Sequence, residues 1–310
     1  MNRALALSLP DDRLSRREVV SRIAGAGAAT IFAATLPGRP RPAALAAQPA
    51  LSFQTNQPKG NVMSQATPTP SETTPTIVLV HGAFADSSSW NGVIPDLLSR
   101  GYPVVAAANP LRSLSGDTEY VASVLAAIDG PIVLVGHSYG GMVITNAATG
   151  NDNVKALVYV AAFAPDAGEN ALGLSQQFPG STLGDALVPN VLPDGATDLS
   201  IRTDVFHDQF AADVPESTTV LMCATQRPVT DVALSEASGE PAWKTIPSWY
   251  IYGEEDRNIP AALQAFLAER AGSKEAVAIP GGSHVVMISN PEAVTRMIQA
   301  AIDATVAVAV

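Results

Sequence analysis

Ser138 lies in Gly136-His137-Ser138-Tyr139-Gly140-Gly141, directly after the apolar run Ile132-Val133-Leu134-Val135. The run reads as a strand buried on both faces, and Met142 to Ala148 reads as a helix. A serine on so sharp a strand-to-helix turn is presented as a nucleophile, with glycines where neighbouring Cβ atoms would collide. A hydroxyl is a poor nucleophile at neutral pH, so Ser138 requires a base, and the base requires an acid to hold its tautomer.

Histidine supplies the base, and the chain has only His81, His137, His207 and His284. His137 adjoins the serine, but its side chain should point away from Oγ. His81 ends an apolar run beside Gly82 and suits a structural role, and His207 reads as a polar surface residue. His284 follows Ala276-Val277-Ala278-Ile279 within Pro280-Gly281-Gly282-Ser283-His284, a loop after a strand, and is the expected base. The acid is expected at Asp256, in Gly253-Glu254-Glu255-Asp256-Arg257-Asn258-Ile259-Pro260, with Glu254 and Glu255 as alternatives. Backbone amides of Tyr139 and Ala83 are the expected oxyanion donors, each worth about 3 kcal/mol in the transition state.

These residues need a sheet to bring them together. From Thr76 the chain alternates short apolar runs with amphipathic ones, which predicts an α/β fold with a mostly parallel sheet flanked by helices. Strands are expected at 77–80, 104–106, 132–135, 156–160, 249–252 and 276–279. Helices are expected at 90–100, 120–128, 261–271 and 292–304. Residues 165 to 247 interrupt the rhythm with Pro179, Pro189, Pro193, Pro215, Pro228 and Pro241 and no convincing buried strand. They read as an inserted, mainly helical cap over the strand ends, where Trp243, Phe178 and Met222 could face a ligand.

Composition narrows the partners. Of 310 residues, 47% are hydrophobic and 15% charged, with 18 basic against 29 acidic side chains, so a nucleic-acid partner is not expected. The single cysteine, Cys223, excludes an intramolecular disulfide and a cysteine-rich metal site. Residues 1–47 combine arginines, including the pair Arg16-Arg17, with a mild apolar stretch from Ile23 to Leu36 and the small residues Ala44-Leu45-Ala46-Ala47. That pattern reads as a twin-arginine-like export signal, too short to span a membrane, for which about 20 apolar residues are needed. Residues 48–75, rich in proline and polar residues, read as a disordered linker, leaving a domain at 76–310.

With these motifs assembled, the chain resembles the α/β-hydrolase superfamily from about Pro75 onward. His81-Gly82-Ala83-Phe84, the elbow at Ser138, Gly253-x-x-Asp256 and Gly282-Ser283-His284-Val285-Val286-Met287 are most similar to its small capped branch. That branch contains bacterial esterases, plant methyl-ester hydrolases and hydroxynitrile lyases. The resemblance implies cofactor-free hydrolysis of a small-molecule carboxylic ester through an acyl-serine. Lactonase, thioesterase or amidase chemistry would use the same residues, and a non-catalytic ligand-binding role is a further alternative. Hydroxynitrile lyases usually have threonine and lysine where this chain has Gly82 and Val285. Haloperoxidases usually have tryptophan at Ala83, and dehalogenases and epoxide hydrolases use an aspartate nucleophile.

Export predicts a processed protein. N-terminal sequencing of secreted material should start near Ala47 or Gln48, and a start at Met1 would refute the export reading.

Overall fold

The run leading to Ser138 forms β3 (Ile132–His137), the most buried strand of the sheet, with all six residues inaccessible. It belongs to a computed structural model that describes residues 74–306. The leader at 1–47 and nearly all of the linker at 48–75 lie outside the described residues. Beside β3 run β1 (Thr76–Val80) and β4 (Val154–Val160), then β2 (Val104–Ala107), β8 (Ser248–Gly253) and β9 (Ala276–Ile279). The order is β2-β1-β3-β4-β8-β9, and every pairing is parallel. Continuous apolar runs are what a sheet covered on both faces demands. The central strands therefore carry no alternation of polar and apolar positions.

Helices α1 (Ile94–Ser99), α2 (Leu114–Ala126), α3 (Tyr139–Ala147), α9 (Ala261–Arg270) and α11 (Pro291–Thr305) flank the sheet. Two differ from expectation. The helix expected at 90–100 is a 3-10 turn at Ser87–Trp90 followed by α1, because Pro95 fits the first turn of a helix but lacks the amide that a helix interior needs. The helix expected from Tyr120 begins at Leu114, where the Ser113 side chain caps it by accepting from the Gly116 amide at 3.1 Å.

The insertion departs most from expectation. Its helices α4 (Ala171–Ser175), α5 (Leu183–Ala186), α6 (Phe206–Phe210), α7 (Glu216–Thr225) and α8 (Asp231–Ser235) share the cap with a three-stranded antiparallel sheet, β5-β6-β7. These strands are β5 (Leu187–Val191), β6 (Thr197–Ile201) and β7 (Val229–Thr230). β5 is an exposed edge strand, which is why it tolerates Pro189 and carries no buried run to reveal it.

Hydrogen bonds tie the cap to the loop after β2 and to the end of α9. Arg112 donates to Asp198 and to the Pro228 carbonyl at 2.6 Å each, and Thr230 donates back to the Arg112 carbonyl at 2.5 Å. Arg270 forms a bidentate pair with Glu169, both bonds 2.7 Å. The cap is thus attached along two sides.

The crossing of α3 under the sheet depends on absent side chains. A Cβ on Gly140 would lie 2.5 Å from the Val80 carbonyl oxygen, closer than real contacts allow. Gly140→Ala would gain about 1 kcal/mol of helix propensity but forces backbone apart, at a cost of about 1–3 kcal/mol. A lowered urea midpoint is the expected net result, and an unchanged or raised one would overturn this account of the crossing.

Candidate active site

Ser138 connects β3 to α3 with φ 54° and ψ −123°, a conformation that costs on the order of 1–3 kcal/mol for a residue with a side chain. Its neighbours hold it there. The Ser138 amide donates to the Val160 carbonyl at 3.2 Å, and its carbonyl accepts from Gly141 at 2.9 Å and Phe163 at 3.2 Å. A Cβ on Gly82 would sit 2.6 Å from Ser138 Cβ and 3.2 Å from Oγ, so the loop after β1 lies directly against the nucleophile. Ser138 is 7% exposed, enough to be reached and little enough to be dry.

His284 and Asp256 meet as expected. His284 Nδ1 lies 2.7 Å from Asp256 Oδ2 with both side chains buried. A carboxylate can only accept, so Nδ1 carries the proton and Nε2 presents a lone pair. Asp256 is held by three further bonds: Oδ1 accepts from the Asn258 and Ile259 amides at 2.8 and 2.9 Å, and Oδ2 from Gln264 at 2.8 Å. Four donors on one buried carboxylate compensate its desolvation and fix its orientation. Glu254 and Glu255 are exposed, and the carboxylate that pairs with His284 is that of Asp256. Among the described residues, no hydrogen bond joins Ser138 Oγ to the His284 ring. Such contacts often close only when substrate enters.

The expected oxyanion donors stand free of backbone partners. The Phe84 amide donates to the Arg227 carbonyl of the cap at 3.1 Å, whereas no backbone carbonyl engages Ala83 or Tyr139 N–H among the described residues. Tyr139 opens α3, so its amide points along the positive end of the helix.

Several supports were invisible in the sequence. His137 is turned away from the serine, and its Nε2 lies 3.1 Å from the His284 carbonyl, with the two rings 4.8 Å apart. The Tyr139 hydroxyl donates to buried Asp117 at 2.9 Å, and the same carboxylate accepts from the Arg112 amide at 3.1 Å. Burial pushes the Asp117 carboxyl up despite these bonds. Ser283 donates to Asp213 of the cap, next to the base. Only Gln264 left a trace, as a polar residue beside Leu263 in an otherwise amphipathic helix. His207 sits at the surface as expected, with its side chain 38% exposed. Of the residues thought able to face a ligand, Trp243 donates to the Pro165 carbonyl at 2.8 Å and Phe178 packs on Phe266. No group of three or more metal-ligating side chains occurs among the described residues.

The alpha/beta hydrolase family model matches residues 77–297, and the chain belongs to that family. It is 28% identical over 240 residues to salicylic acid-binding protein 2 of Nicotiana tabacum, covering 69% of this chain and 92% of that one. Polyneuridine aldehyde esterase of Rauvolfia serpentina is 25% identical over 248 residues, covering 71% and 92%. Its crystal structure superposes with a TM-score of 0.64 over 73% of this chain and 98% of that chain, at 22% identity. An alpha-hydroxynitrile lyase of Arabidopsis thaliana is 24% identical over 238 residues, covering 69% and 92%.

The buried imidazoles make the fold acid-sensitive. Burial holds His81 down to about 4 and His137 well below the ordinary 6.5. Between pH 6.5 and 4 the unfolded chain binds protons that the folded one refuses, so stability falls as pH drops through that window. His81 alone accounts for a loss of about 2 kcal/mol by pH 5. Urea midpoints at pH 7 and pH 5 measure the decline, and His81→Gln should flatten it; an equally steep decline in that variant would contradict the assignment.

Proposed function

We propose that this protein is a serine hydrolase of carboxylic esters working through an acyl-enzyme. The observation that carries the reading is the buried 2.7 Å pair of His284 with a fully hydrogen-bonded Asp256, on the sheet edge that bears the strained Ser138. His284 Nε2 takes the Ser138 proton as Oγ attacks the ester carbonyl. The Ala83 and Tyr139 amides receive the oxyanion, and the alcohol leaves with the proton held by His284. Water then attacks the acyl-serine with His284 again as base; the acyl–Oγ bond breaks to release the carboxylic acid, and His284 returns the proton to Ser138 Oγ. Asp256 stays ionised and stabilises the imidazolium.

Kinship with an esterase supports the choice of esters over lactones, thioesters or amides. Cyanohydrin cleavage is disfavoured at Gly82, where even a Cβ would crowd Ser138, so the threonine usual in lyases has no room without rearrangement. We also propose that the enzyme acts after export, on the strength of residues 1–47. Its partner is a small-molecule ester.

A fluorophosphonate should label the wild type at Ser138, and Ser138→Ala should abolish labelling and turnover of short-chain aryl esters. Asp256→Asn should lower kcat by roughly a thousandfold or more, since the imidazole then loses its tautomer. A wild type that is neither labelled nor active on esters would refute the proposal.

A further inference from the structure

A cleft of about 340 Å³ opens at Phe84, the residue after Ala83. Its walls are Phe84 and Ala85 from the loop after β1, Ile288 from α10 (Val286–Ser289), and Thr218, Leu221 and Met222 from α7. The spacing of the last three puts them on one face of the helix. Leu221, at the outer lip, is 67% exposed.

Four polar members of the wall, Asp86, Ser89, Thr225 and Gln226, are already engaged with protein. The Asp86 carboxylate accepts from the Ser88 amide at 2.7 Å. Gln226 exchanges hydrogen bonds with the Ile201 backbone, accepting at 2.8 Å and donating at 2.9 Å. What the cleft offers a visitor is therefore mainly hydrocarbon, and it suits an alkyl or aryl group better than a charged one.

The inner wall leads to the chemistry. Phe84 adjoins Ala83, and its buried ring meets Phe210 edge-on at 6.1 Å; the Phe210 ring lies 5.3 Å from that of His284. The Phe84 backbone is held at φ 59° with its amide on the cap carbonyl of Arg227. Phe84 thus stands between the cleft and Phe210, whose ring in turn faces His284.

We propose that the cleft receives the larger apolar group of the ester whose carbonyl lies at Ser138, and that Phe84 is the partition whose rotation joins the two. The substrate class is then a carboxylic ester with one bulky alkyl or aryl group. This rests on the serine-hydrolase reading and adds to it a specificity residue, Phe84, and a subsite between the oxyanion loop and α7.

The test compares kcat/KM for ethyl acetate, ethyl octanoate and octyl acetate in the wild type, Thr218→Trp and Phe84→Ala. Filling the cleft with Thr218→Trp should lower the long-to-short ratio at least tenfold for one of the two long esters. Phe84→Ala should raise the same ratio about threefold or more. Binding of the apolar fluorophore N-phenyl-1-naphthylamine, displaced by octanol, should weaken at least tenfold in Thr218→Trp. Melting temperature and fluorophosphonate labelling confirm that each variant is folded, and Thr225→Trp, on the same helix face, replaces Thr218→Trp if that variant does not fold. Ratios within twofold of wild type in both variants, or unchanged fluorophore binding, overturn the proposal. A wild type that resists the fluorophosphonate counts against the hydrolase reading, while the fluorophore still decides whether the cleft takes an apolar ligand.

Discussion

The backbone of Ser138 is held in a conformation it would leave if its surroundings relaxed, and the surroundings are built so that they do not. β3 enters the turn wholly buried between β1 and β4, so it has no freedom to shift along its axis. α3 leaves the turn pressed so close to the sheet that a Cβ on Gly136 would lie 2.7 Å from the Gly140 carbonyl oxygen, and one on Gly140 would meet the backbone of Val80 and His81. The burial of the strand and helix offsets the local strain many times over at about 25 cal/mol per Å² of apolar surface. The serine is strained because its neighbours are comfortable.

The same economy of space governs charge around His284. Its ring lies between those of His137 and Phe210, and two imidazoles this close in a dry site cannot both be protonated at modest cost. Burial and the neighbouring imidazole keep His137 neutral, so it sets no charge beside the histidine that faces Asp256. His137 thus contributes without touching Oγ. It supports the His284 backbone through the carbonyl oxygen.

Residues at strand ends were legible because chain order alone fixes where they gather. Ser138, Asp256 and His284 each follow an apolar run, and parallel strands deliver their ends to one edge. Choosing Asp256 over its two glutamate neighbours required only spacing; in the structure both glutamates are exposed and Asp256 is buried. The supports could not be read in the same way. Tyr139 with Asp117 and Gln209 with Asn258 pair side chains distant in the chain, and nothing local marks either partner. The cap sheet escaped for a different reason. β5 and β6 are largely exposed or half-buried and β7 is only two residues long, so the hydrophobic pattern that betrays a buried strand never develops.

Gln209 is buried where α6 of the cap meets the acid loop. Its amide nitrogen donates to Asn258 Oδ1 at 2.7 Å and to the Arg257 carbonyl at 3.0 Å, while its oxygen accepts from Thr182 at 2.8 Å. Asn258, in turn, donates its backbone amide to Asp256. An insertion that looks like a detachable module in the linear chain therefore supplies a brace for the machinery beneath it. Transplanting a foreign cap onto this sheet to change its selectivity would carry a hidden requirement: the graft must bring its own glutamine to that spot, or leave Asn258 with a buried amide and no one to hold it.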